Sequence, residues 1–140
     1  MAVVVAVALA AVDLVVKAVV PADAAFAHHR TPAWMGLSVG ILVVVLLSTR
    51  LPSRLFALGA GVFVSGILGN LSSAALHHGL IPNPFVAGNV AFNLADTFVL
   101  GGALLVGIAA MRLALRHREL LPTHTIPVRI ARYAIARMSR

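Results

Sequence analysis

Four long apolar stretches divide this chain, and its polar residues gather between them or stand out singly within them. Residues 2–20 are broken only by Asp13 and Lys17, residues 33–49 and 55–76 carry no charge, and residues 90–111 contain one ionisable side chain, Asp96. Each stretch is close to the roughly 20 predominantly apolar residues that cross a bilayer as a helix. The pattern predicts an all-α integral membrane protein of four helices. A transmembrane domain occupies 1–111, with short outer loops near 21–32 and 77–89, and a basic tail follows over 112–140.

Composition points the same way. The chain is 61% hydrophobic and 11% charged, against about 25% charged in soluble domains. Four spans leave too little of the 140 residues for a soluble core. The absence of cysteine excludes disulfides, thiolate metal ligands and a thiol nucleophile.

The cations sort by loop, which sets orientation. Arg50 and Arg54 flank the turn between the second and third spans, and Arg112, Arg116, Arg118, Arg129, Arg132, Arg137 and Arg140 follow the fourth. Only Arg30 lies in the opposite loops. Both termini are therefore expected in the cytoplasm, and the net charge of +7 reads as a topology signal rather than a nucleic-acid footprint. A helix over 126–140 would place Arg129, Arg132, Arg137 and Arg140 on one arc and Ile130, Ala134, Ile135 and Met138 on the other, suiting an anionic inner leaflet. A solvated, frayed tail is the alternative. A cleaved signal peptide ending at Ala25-Phe26-Ala27 is a rival reading of the N-terminus, but its apolar region would contain Asp13 and Lys17 and no basic segment precedes it.

Polar residues within membrane spans are costly, so they suggest function. Asp13 and Lys17 stand at i, i+4 and can neutralise each other as a structural pair. Asn93 and Asp96 share a face of the fourth span at i, i+3. Counting from the predicted span ends, Asp13, Asn70 and Asp96 all fall about six or seven residues from the outer boundary, placing them in one layer at about 1.5 Å per residue. Gly59, Gly66, Gly69 and Ser73 on the third span, and Gly101, Gly102 and Gly107 on the fourth, suit close helix packing.

Asp13-x-x-x-Lys17, Gly66-x-x-Gly69-Asn70-Leu71 and Phe92-Asn93-Leu94-Ala95-Asp96 leading to Gly101 resemble, in order, spacing and topology, the signal peptidase II (lipoprotein signal peptidase) family. The resemblance implies a four-helix aspartic endopeptidase of the bacterial cytoplasmic (inner) membrane, needing no cofactor, which removes signal peptides from lipid-modified prolipoproteins at the outer leaflet. It implies Asp96 as one catalytic aspartate, Asn70 and Asn93 as polar support, Asp13 and Lys17 as the structural pair, and membrane lipids and the lipid-modified segment as partners.

Two departures bear on catalysis. Where the family continues Gly-Asn-Leu-x with Asp-Arg, this chain has Ser73-Ala74, and where it supplies its second aspartate in Val-Val-Asp-Phe, this chain has Leu80-Ile81-Pro82-Asn83. The first outer loop is also much shorter than the family's β-rich one, with Arg30-Thr31-Pro32-Ala33 as a remnant of Arg-Asn-x-Gly-Ala-Ala. A dyad needs one carboxylate as base and one carboxylic acid, and the other acids, Asp13, Asp23 and Glu119, are poorly placed. Asn83 can hydrogen-bond a carbonyl but cannot take a proton from water. The alternative to a divergent peptidase is an inactive binder of the lipoprotein segment. A further alternative is metal or ion handling by His28, His29, His77 and His78. His117 and His124 belong to the tail.

Overall fold

The structure is a computed structural model and describes residues 1–23, 26–49 and 53–116. The expectations for Ala25, Arg50, His117, Glu119, His124 and the amphipathic tail lie outside the described residues. In chain order the elements are α1 (Ala2–Val19), β1 (His28–His29), α2 (Pro32–Ser48), α3 (Arg54–Leu76), β2 (Leu80–Ile81), β3 (Phe85–Ala87), β4 (Val90–Phe92) and α4 (Leu94–Arg116).

All four expected helices form. α1, α3 and α4 are long and apolar enough to cross a membrane, at 18, 23 and 23 residues. α2 has 17 residues, the short end of the spanning range of about 17–25. Local chemistry sets their starts. The Thr31 hydroxyl accepts from Trp34 N at 3.3 Å with Pro32 next in line, and the Ser53 hydroxyl accepts from Phe56 N at 3.2 Å, so both caps satisfy N–H groups that the helix itself leaves without acceptors.

α3 is the centre of the bundle. α1 lies against it through Ala2, Ala6 and Ala10, a stripe that ends at Asp13. A Cβ at Gly61 would stand 2.7 Å from the Ala2 carbonyl, and one at Gly59 2.8 Å from Leu105 Cβ, so these glycines are what let the helices touch. α4 buries Ala95, Gly102 and Ala109, every seventh residue. Gly66 meets the Ala95 carbonyl and Gly102 meets the Phe63 backbone. The packing expected of Gly101 and Gly107 does not occur among the described residues, none of which comes within 4 Å of where a Cβ would stand on either. They lie about 100° and 140° around the helix from Gly102, off the narrow stripe that faces α3.

Four short strands qualify the all-α expectation. β1 pairs antiparallel with β2, His28 opposite Ile81 and His29 opposite Leu80, tying the α1–α2 loop to the α3–α4 loop at one end of the bundle. β3 and β4 form a hairpin about Gly88-Asn89, with Gly88 at φ +60, and Phe85 and Phe92 face each other at its base, 5.7 Å apart. Residues 90–92, expected to open the fourth helix, are therefore a strand. The helix begins at Leu94 and runs past the expected end at 111 to Arg116. α3 ends through His78 at φ +54 and Gly79 at φ +90, whose N–H donates to the Ala74 carbonyl at 2.7 Å, the left-handed turn that closes many helices.

Candidate functional site

The polar residues singled out in the sequence form one connected chain of hydrogen bonds. It starts on α1, where Lys17 Nζ lies 2.7 Å from Asp13 Oδ2, both side chains buried. Lys17 Nζ also donates to Asn70 Oδ1 at 2.9 Å, and Asn70 Nδ2 donates to Asp96 Oδ1 at 2.9 Å. Asp96 Oδ2 accepts from Asn93 N at 3.1 Å, while Asp96 N donates to Asn93 Oδ1 at 3.0 Å. Asn93 Nδ2 donates to Asn83 Oδ1 at 2.7 Å. Asn83 Nδ2 then reaches the Phe26 carbonyl and His28 Nδ1, each at 2.9 Å.

The polarity of this chain follows from its ends. An ammonium only donates, so Asn70 must turn its oxygen to Lys17 and its nitrogen to Asp96. A backbone carbonyl only accepts, so Asn83 must turn its nitrogen to Phe26 and its oxygen to Asn93. Its second N–H then requires His28 Nδ1 to be the acceptor, which places the imidazole proton on Nε2.

Asn93 and Asp96 form a reciprocal capping box. Asn93 precedes the helix, Asp96 is its third residue, and each side chain binds the other's backbone N–H; the motif is better known with Ser or Thr and Glu. Asp96 is thus nearer the helix start than the span count implied. A second carboxylate serves the same terminus. Asp13 Oδ1 accepts from Ala95 N at 2.8 Å across 82 residues of sequence, so the expected Asp13–Lys17 pair forms and also pins α1 to the positive end of α4. Gly69 makes the room, because a Cβ there would sit 2.5 Å from Asp13 Oδ2.

The structure therefore brings Asp13, Lys17, Asn70, Asn83, Asn93 and Asp96 together. Asp13 is fully buried and committed to Lys17 and α4, and Asp23 lies in the α1–α2 loop. Beside Asp96 stand the amides of Asn70 and Asn93, with Asn83 beyond. Ser73, expected both to pack and to mark a departure from the resembling family's Asp-Arg, lies one turn from Asn70 on α3. It is 1% exposed, and its hydroxyl has no hydrogen-bond partner among the described residues. The histidine metal set does not assemble: among the described residues no three His, Asp or Glu side chains gather around a common point. β1–β2 pairing holds His28 and His29 opposite Ile81 and Leu80 while His77 and His78 sit in the turn after α3.

Fold and site define an integral membrane protein of four helices with a polar cluster at one end of an apolar bundle. Its fold is similar to two solved structures, each of a bacterial membrane enzyme studied by the in meso method. One, at 1.9 Å resolution, has a TM-score of 0.61 and 19% identity over 78% of this chain and 91% of that one. The other, at 2.3 Å, has a TM-score of 0.59 and 19% identity over 79% and 87% of the two chains. No family model and no curated protein matches the sequence. At that identity the likeness is one of fold, and the chain has the fold of a bacterial membrane enzyme.

Proposed function

We propose that the chain is a divergent signal peptidase II-like protein of the bacterial cytoplasmic membrane, both termini inside, which binds a lipid-modified prolipoprotein segment at the polar cluster and does not hydrolyse it. The observation that carries this reading is Asn83. It closes the Leu80-Ile81-Pro82-Asn83 segment that stands where the resembling family has Val-Val-Asp-Phe, brings an amide and no carboxylate to the cluster, and is joined to Asp96 through Asn93. Hydrolysis by a dyad needs a carboxylate that takes a proton from water and a carboxylic acid that gives one to the scissile carbonyl. An amide does neither.

Binding fits the donors and acceptors present. An asparagine amide has two N–H groups. Asn83 uses both inside the protein, whereas Asn70 and Asn93 each donate one to the cluster among the described residues. The remaining N–H groups, the Ser73 hydroxyl and the Asp96 carboxylate offer donors to peptide carbonyls and an acceptor to a peptide N–H. An extended backbone presents both.

The test is incubation of the reconstituted protein with a diacylglyceryl-modified prolipoprotein peptide. Saturable binding without product is expected, weakened by Asp96→Ala. Cleavage by the unmodified chain that Asp96→Asn abolishes would overturn the binder reading and require a second carboxyl from elsewhere.

A further inference from the structure

His28 ends the hydrogen-bonded chain on the outside. The residue is exposed on β1, while its Nδ1 lies 2.9 Å from Asn83 Nδ2 on a side chain that is 1% exposed. Solvent protons therefore reach the ring, and the ring reaches the buried cluster. Both N–H groups of Asn83 go to the α1–α2 loop, one to the Phe26 carbonyl at 2.9 Å and one to His28. The partners are 57 and 55 residues away in sequence, so this single amide clasps one loop to the other.

The clasp requires a neutral ring. A protonated imidazole carries an N–H on both nitrogens and accepts nothing, so charging His28 sets donor against donor at Asn83. Turning the Asn83 amide over does not relieve the conflict. Its oxygen would then face the Phe26 carbonyl, and its nitrogen would face Asn93 Nδ2. Asn93 cannot turn in response, because its oxygen accepts from Asp96 N at 3.0 Å. The cap of α4 thus locks the amide orientations, and the conflict stays at His28.

The other titratable and charged groups are differently engaged. β2, opposite His28, presents Leu80 and Ile81 and no charge. His29 and Arg30 follow in the chain, His77 and His78 precede β2, and Asp23 lies in the same loop. His29 Nε2 packs on Gly79, where a Cβ would stand 3.2 Å from it. Asp96 is reached only through Asn83 and Asn93. Among the described residues, Asn83 Nδ2 has no acceptor besides Phe26 and His28. The β1–β2 pairing and the bond from Arg30 N to the Gly79 carbonyl at 2.8 Å are made by backbone groups, so they persist when the ring is charged.

We propose that His28 is a proton-operated latch on the α1–α2 loop. Neutral, its Nδ1 holds Asn83 and keeps the segment before β1 over the polar cluster. Protonated, it lets go, and that segment lifts about the β1–β2 pair to uncover Asn83 and Asn93. The latch rests on the peptide-binding reading only for what it admits, since the motion itself needs no ligand.

The chain has no cysteine, so two introduced thiols can be spin-labelled alone. Phe26→Cys keeps the backbone carbonyl that Asn83 binds, and Ala87 is exposed on β3. Electron-electron double resonance on the full-length protein carrying Phe26→Cys and Ala87→Cys in lipid nanodiscs, without peptide, reads the distance between the loops. The measurement is made at about pH 8 and about pH 5, the ends of the interval in which histidine changes charge. Acid should raise the fraction of longer distances about fivefold, the equivalent of one neutral hydrogen bond. His28→Asn puts a carbonyl oxygen that does not titrate close to where Nδ1 stands, and should stay closed at both pH values. His28→Ala should be open at both. An unchanged distribution between the two pH values, the same acid response in His28→Asn, or a closed His28→Ala would overturn the latch. Should His28→Ala fail to fold, His28→Asn decides, since a persistent acid response there assigns the opening to another group. No peptide is present, so the outcome is separate from whether the chain binds one.

Discussion

Asn83 and Asn93 hydrogen-bond side chain to side chain at 2.7 Å across the base of the β3–β4 hairpin, each 1% exposed. That contact closes the segment between them, sets Asn93 to cap α4, and leaves both N–H groups of Asn83 aimed at the α1–α2 loop. Asn83 is thus part of the clasp holding the two loops over Asp96.

Asn83→Asp consequently should not restore catalysis. A carboxylate there would face the Phe26 carbonyl with an oxygen where an N–H now donates. The mismatch should destabilise by about 1–3 kcal/mol, the range for a buried polar group left without its partner. Thermal unfolding in detergent should show the loss, and peptide cleavage by this variant would refute the argument.

Breaking the α1 ion pair should be costlier than removing it. Asp13→Asn leaves Lys17 charged and buried, and Lys17→Met leaves Asp13 likewise, at about 3–5 kcal/mol each. The double variant should lose clearly less than the two together, as a double-mutant cycle on thermal stability would reveal. Simple additivity would mean that the two side chains do not act as a pair.

Adjacent glycines on α4 should respond differently to one methyl group. Gly102→Ala places a Cβ against the Phe63 backbone and should cost about 1–3 kcal/mol as overpacking. Gly101→Ala meets open space and should leave the melting temperature unchanged. Equal effects would contradict the packing of α4 on α3.

Asp96→Ala removes both acceptors at once, the oxygen that Asn70 Nδ2 reaches and the one that accepts from Asn93 N. Loss of that half of the capping box should cost about 0.5–2 kcal/mol. Hydrogen exchange at the first turn of α4 should rise, while the α2 amides stay unchanged. Protection at α4 equal to that of the unmodified chain would exclude the capping role.

The sequence by itself determined the four apolar helices, because lipid demands about 20 apolar residues per crossing and any polar group inside such a run stands out. For that reason Asp13, Asn70, Asn93 and Asp96 were legible as one layer, and the i, i+4 spacing of Asp13 and Lys17 declared their pairing. Tertiary structure decided the rest. An apolar triplet such as Val90–Phe92 reads equally well as helix or strand, and only its pairing with Phe85–Ala87 made it a strand and delayed the helix to Leu94. Nothing local to Asp13 indicates that it binds Ala95 N, and nothing local to Asn83 names the Phe26 carbonyl or His28. Gly101 and Gly102 are the same residue side by side, separated only by which of them faces α3. Helix formation and ion pairing at one turn's spacing act within a few residues and leave a period in the chain. Contacts between distant loops and the rotation of one helix against another depend on how the whole bundle closes, and leave none.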